Sequence, residues 1–171
     1  MKKFLLLISF CWLSISYAFT GEDISYFRTA FNGIKDFKTA EKFLKTEISD
    51  SIKSNVTAIV GYKGVCSMMM AQYVYNPFTK LSYFKSGKKI LETSIKIEKN
   101  VENIYLRLIV QLHAPSFLGY NKKIKSDKKY IETNITSSSV PDETKKYILK
   151  NLMETGKTES LRALAKKYGA V

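Results

Sequence analysis

Residues 55–75 read NVTAIVGYKGVCSMMMAQYVY, an apolar run whose one charge is Lys63. A helix without a polar face must be surrounded on all sides, by other helices or by lipid. Lys63 and the scattered Thr57, Gly61, Gly64, Ser67 and Gln72 favour protein neighbours over a membrane. Small residues recur at Ala58, Gly61, Gly64, Ser67 and Ala71, which leaves one face open to close approach by another helix. Gly61 and Gly64 each cost up to ~1 kcal/mol of helix propensity, and close packing is the compensation to expect. Cys66 and Met68-Met69-Met70 then read as core filler rather than as a reactive thiol or a metal surface.

The flanking sequence supplies amphipathic helices to surround this one. Ile24, Phe27 and Phe31 share a face, and Asp36 opens a second helix with Phe37, Ala40, Leu44 and Ile48 at helical spacing. Asn76-Pro77 turns the chain into a fourth helix over 77–98, with Leu81, Phe84, Lys88, Leu91 and Ile95 along one strip. Ile104, Leu108 and Leu112 mark a fifth helix that stops before Pro115. A sixth is expected from Ser116, burying Phe117, Tyr120, Ile124 and Ile131. After a polar loop, Pro141-Asp142-Glu143 starts a helix carrying Ile148 and Leu152, which Gly156 ends. Thr158 opens a last one with Leu161, Ala165 and Tyr168. No strand alternation intervenes, so the expectation is an all-α chain of about six to eight helices in antiparallel hairpins.

The N-terminus has the layout of a cleavable secretory signal: Lys2-Lys3, an apolar run from Phe4 to Ile15, then Ser16-Tyr17-Ala18. Cleavage after Ala18 would leave 153 of the 171 residues as one helical domain, 19–171. Within it, 19–53 would be the N-terminal helices, 54–132 the central core and 133–171 a C-terminal pair. Such a protein would be periplasmic or secreted. Cys66 would be its only cysteine, which excludes an intrachain disulfide. Without Lys2 and Lys3, 26 basic residues face 15 acidic ones, an excess of +11. A field of that sign draws anionic surfaces. The excess is lysine, with arginine only at Arg28, Arg107 and Arg162, and arginine forks are what nucleic-acid sites favour. Nucleic acid is therefore not the expected partner.

Gly87, Leu91 and Ser94 set small, bulky and small residues four and three apart, and Tyr105, Leu108 and Leu112 follow in the next helix. This register resembles the second helix of a tetratricopeptide-like repeat, in degenerate form: Lys99 stands where such a repeat usually has its terminating proline. Across residues 61–120, the chain also resembles short exported helical proteins of uncharacterised function from Bacteroidetes. The resemblance implies a tetratricopeptide-like bundle or short solenoid, and brings no activity, cofactor or catalytic residue.

The residues name no chemistry of their own. There is one histidine, His113, at a helix end, where it is expected to meet local carbonyls. No G-x-S-x-G elbow, phosphate-cradling glycine loop or metal-ligand cluster is legible. The acids lie mostly beside lysines, as Glu92 near Lys88 and Asp127 near Lys128, and read as solvated ion pairs. An enzyme using carboxylates in a helical cleft, where Glu102 and Asp127 would converge, is a third and least favoured expectation, and the spacing gives no sign of it. The leading expectation is thus a non-enzymatic exported scaffold for a protein or peptide in the cell envelope, with no cofactor. Tyr62, Tyr73, Tyr105 and Tyr120, with Tyr75 beside them, are its candidate contacts. The alternative is a basic surface for anionic lipid or polyanionic glycan, carried by Lys122, Lys123, Lys125, Lys128 and Lys129.

Overall fold

A computed structural model describes residues 22–47 and 56–171, and the expected signal segment, Ile48 and Asn55 lie outside them. The described chain is all-α. Eight helices follow in order: α1 (Glu22–Asn32), α2 (Phe37–Lys45), α3 (Val56–Met70), α4 (Pro77–Ile97), α5 (Val101–His113), α6 (Ile124–Asn134), α7 (Asp142–Glu154) and α8 (Arg162–Lys167). Short 3-10 turns at Ser116–Leu118 and Glu159–Leu161 lead into α6 and α8. No helix among the described residues is long and apolar enough to cross a membrane.

Side-chain caps fix where three of the helices begin. The Asp36 carboxylate accepts from the Thr39 amide (2.7 Å) and starts α2. The Asn76 side-chain oxygen accepts from the Phe78 and Thr79 amides, and Pro77 sits at the first helical position of α4. Asn100 does the same for α5 through the Asn103 amide (2.8 Å).

The apolar segment takes the centre. Ala58, Ile59, Gly61, Tyr62, Gly64, Val65, Cys66, Ser67, Met68 and Met70 are all buried. Its small residues meet α4 in antiparallel order. Gly61 lies against Ser94, Gly64 against Gly87 and Leu91, and the Ser67 hydroxyl donates to the Tyr83 carbonyl (3.3 Å). A Cβ on Gly64 would sit 2.8 Å from the Leu91 amide nitrogen, and one on Gly87 would sit 2.7 Å from that of Met68. The two backbones touch where the glycines face each other. Gly87, Leu91 and Ser94, the register read from the sequence, are the residues of α4 buried in this contact.

Three local expectations need correction. The third helix ends at Met70 rather than Tyr75, and residues 71–76 form the turn into α4. Leu81 is exposed rather than part of the buried strip, because the first turns of α4 extend past the end of α3. The sixth helix begins at Ile124, not near Ser116. Gly119 takes a left-handed conformation (φ 61°) that ends the short 3-10 turn, and Phe117 is left 85% exposed.

Candidate functional site

The described residues hold two polar networks inside the bundle, and each is built on an arginine. Arg28 of α1 forks onto Glu102 of α5, with Nε donating to Oε1 and Nη2 to Oε2, both at 2.8 Å. Nη2 also donates to Thr144 Oγ1 of α7 (2.9 Å), and the guanidinium lies 5.0 Å from the centre of the Tyr147 ring. The Tyr62 hydroxyl of α3 donates to the same Glu102 Oε1 (2.9 Å). Four helices thus meet at one ion pair whose side chains are both under one-tenth exposed. Burial works against the Arg28 charge, but Glu102 and Tyr62 more than reverse this and raise its pKa above the ordinary value. Burial first, and then the Glu102 charge, raises the Tyr62 hydroxyl well above its usual range.

The second network joins α4, α5 and α6. Arg107 donates from Nε to Asp127 Oδ2 (2.8 Å), from Nη2 to Oδ1 (2.7 Å) and from Nη1 to Glu92 Oε2 (3.0 Å). Gln111 Nε2 donates to Asp127 Oδ2 (2.7 Å), and the Tyr120 hydroxyl donates to Glu92 Oε1 (2.6 Å). These are fork-to-carboxylate contacts that a lysine cannot reproduce. Every buried side-chain nitrogen and oxygen among the described residues has a hydrogen-bond partner.

The expected solvated pairs at Glu92 and Asp127 are therefore corrected. Asp127 is buried on Arg107, and Glu92 reaches Arg107 and Tyr120 rather than Lys88, whose ammonium lies over the Tyr120 ring at 4.9 Å. Asp127 falls at helical spacing between Ile124 and Ile131, and that placement turns it inward. Glu102 and Asp127 are not brought together; each is saturated by a different guanidinium. Their oxygens face arginine, tyrosine or glutamine donors rather than an open cleft.

Three of the four tyrosines named as partner contacts are inside. Tyr62 has no exposed surface, Tyr105 packs edge-on to Tyr147 (6.0 Å between ring centres), and Tyr120 packs edge-on to Phe84 (5.9 Å). In this fold they have no face to offer a partner, because the rings fill spaces between helices. Tyr73 is half-buried. With Phe37, Gln72, Val74, Tyr75 and Lys80 it lines an open depression of about 430 Å³ where the start of α2 meets the α3–α4 turn. Tyr75 is fully exposed there and Phe78 is 82% exposed. This apolar tip was not among the sequence candidates as a unit. Its signal was the aromatic pair Tyr75 and Phe78 flanking the Asn76-Pro77 turn.

The named lysines are on the surface. Lys122 and Lys123 precede α6, and Lys125, Lys128 and Lys129 lie on it. Lys123 reaches Glu92 at 3.9 Å, and Lys128 donates to the Lys157 carbonyl. Lys122, Lys125 and Lys129 are exposed and make no ion pair among the described residues. The same holds for most lysines: only Lys45, Lys123 and Lys145 come within 4 Å of a described carboxylate. The arginines take Glu92, Glu102, Asp127, Glu143 and Glu159.

His113 is exposed with Nδ1 2.9 Å from the Ile109 carbonyl oxygen, the local contact expected of it. Cys66 is buried, and burial pushes its thiol up to about 12. No group of three or more His, Cys, Asp or Glu side chains among the described residues is placed to hold a metal ion. No protein-family model, curated protein or solved structure matches the chain.

Proposed function

We propose that the protein is an exported, non-enzymatic helical module, periplasmic or secreted, that binds an anionic surface of the cell envelope. The observation that carries this reading is how the charges are divided. The three arginines occupy five carboxylates, two of them in the core, so the outer surface keeps lysines with few acids to neutralise them. Lys122 just before α6, and Lys125 and Lys129 in its first half, are exposed without an ion pair among the described residues. Attraction of this kind depends on the field rather than on a shaped pocket, and salt screens it within about 10 Å at 0.1 M. The test is retention of the full chain on phosphatidylglycerol vesicles and on immobilised dextran sulfate. We expect binding at low ionic strength and release by about 0.5 M salt, where the screening length is only a few ångströms. Absence of retention on both at low salt sinks the reading.

A protein or peptide partner is the second reading. Its support has narrowed to Tyr73 and the depression around it, since Tyr62, Tyr105 and Tyr120 lie in the core. The tetratricopeptide-like kinship belongs with this proposal. Burial of Gly87, Leu91 and Ser94 against α3 supports it.

A further inference from the structure

At the α3–α4 turn, several large apolar side chains and lysines without an ion pair among the described residues project together. Tyr75 is fully exposed, Phe78 82% and Leu81 38%, and Phe37 stands at the rim of the adjoining depression. Tyr75 borders the open depression yet keeps its whole surface exposed, and Phe78 lies outside the lining, so the two rings do not form a groove that grips a chain. They form a protrusion. A bilayer interface needs no matching wall, because fluid headgroups and acyl chains close around an inserted ring. Tyrosine and other aromatics with one apolar and one wet end suit that zone.

The charge along α3 and the first half of α4 has a single sign. From residue 51 to residue 91 the sequence contains lysines at 53, 63, 80, 85, 88 and 89 and neither aspartate nor glutamate. Lys63 turns inward to the Leu44 and Thr46 carbonyls, and Lys88 covers the Tyr120 ring. Lys80, Lys85 and Lys89 remain exposed along α4 behind the aromatic tip. Lys35 and Lys38 flank Phe37 across the depression. Asp36 between them caps α2 and keeps its negative charge, so that flank carries two lysines against one acid. An apolar point backed by lysines is the arrangement that anionic lipid selects, with each lysine near the surface adding attraction.

We propose that the α3–α4 turn is a membrane-docking tip that seats Tyr75 and Phe78 in the interface of an anionic phospholipid bilayer, with Lys80, Lys85 and Lys89 above them at the headgroups. This deepens the anionic-surface reading and rests on it: lipid is the surface, and the hairpin tip is the contact.

The chain has one tryptophan, Trp12. A full chain carrying Trp12→Phe and Tyr75→Trp therefore has a single tryptophan, at the tip, whose emission can be excited apart from the tyrosines. On vesicles of equal phosphatidylglycerol and phosphatidylcholine, its emission should shift to the blue and be quenched by brominated acyl chains. The matching Ile97→Trp chain is the control. Ile97 is exposed at the other end of α4, about 30 Å away at 1.5 Å per residue, and its emission should not move. Tyr75→Ser with Phe78→Ser should weaken vesicle binding about tenfold or more, as expected for losing two partly buried rings. Lys80→Gln should weaken it about fivefold at low salt. These are surface positions, so far-UV circular dichroism should stay that of the parent. The proposal is overturned if vesicles retain the protein while the tip fluorophore is unchanged, or if both fluorophores shift alike. It is equally overturned if dextran sulfate is bound and vesicles are not, a result that leaves the broader anionic-surface reading standing. Failure to bind either probe removes both. Capture of a soluble acidic protein through Tyr75 and Phe78, with no vesicle binding, replaces lipid with the peptide reading.

Discussion

One methyl group at Gly87 measures how closely the central helices touch. In Gly87→Ala, the new Cβ would lie 2.7 Å from both the Met68 amide nitrogen and Met68 Cγ, and nearer still to the Gly64 carbonyl oxygen. Real Cβ atoms essentially never come under 3.0 Å, so something must move. Two of the three obstacles are backbone, and no rotamer change clears them. The helices must part, and with them the contact in which Gly64 and Leu91 are buried. Overpacking of this kind costs about 1–3 kcal/mol, and a backbone clash belongs at the upper end. Replacing a mid-helix glycine with alanine returns about 1 kcal/mol of helix propensity. The net expectation is a loss of about 2 kcal/mol, or roughly 4–8 °C in Tm for a chain of this size. Gly33→Ala is the internal control. A Cβ there meets only the Ala30 and Thr29 carbonyls, at 3.4 and 3.5 Å, so that variant should match the parent or gain up to ~1 kcal/mol. Urea unfolding followed by circular dichroism, with calorimetry for Tm, reads both. A Gly87→Ala protein as stable as the parent, or more stable, would show that α3 and α4 do not meet backbone to backbone.

Three further outcomes follow from the buried titratable groups. Glu102→Leu strands the Arg28 guanidinium and leaves the Tyr62 hydroxyl without its acceptor, a loss of about 3–5 kcal/mol. Adding Arg28→Met should recover most of it in urea titrations, and a double variant no better than the single would refute the pairing. The Cys66 thiol, pushed up to about 12 by burial, should resist a disulfide reagent at pH 8 in the native protein and react on unfolding in urea. Its folded pKa lies above the ordinary 9.0, so its contribution to stability is complete below pH 9 and is lost as pH rises toward 12. The hydroxyls of Tyr62, Tyr105 and Tyr120, all raised first by burial, act in the same direction above pH 10. Chemical denaturation midpoints should therefore fall steadily across that alkaline range, and a flat profile would contradict the burial of these groups.

The parts of the fold that were legible in the sequence rest on local rules. An all-round apolar segment has to be central, glycines at helical spacing have to meet something close, and Asn76-Pro77 has to start a helix. The arginine networks were hidden for a different reason. In a chain with many lysines, an acid beside a lysine looks solvated, and the Asp127-Lys128 neighbourhood was read that way. Yet Asp127 stands three residues after Ile124 and four before Ile131, and Arg28 stands four after Ile24. Charge on the apolar stripe was the available signal, and the scarcity of arginine marked which cations had paired. The identity of the partner was not available, since Glu102 is 74 residues from Arg28 and Thr144 is 116. The tyrosines failed for a related reason. Helical spacing places Tyr62 and Tyr105 on a helix without saying whether a neighbour covers them; Phe31 packs on the first and Tyr147 on the second. The exposed tip escaped because it belongs to a turn whose length was misjudged by five residues, from Met70 to Tyr75.

The Arg28 clamp also sets an order of events in time. A chain emerging from its N-terminus presents α1 first, but Glu102 and Thr144 follow 74 and 116 residues later. At about 5–20 residues per second, Thr144 appears roughly 6–23 s after Arg28. Phe27 can meet Phe43 of α2 long before then, but the guanidinium waits for Glu102 and then for Thr144. The first of the described helices to be made is thus clamped late: α1 can pack on α2 and α3 early, but its ion pair closes only once α5 is made and is completed by α7.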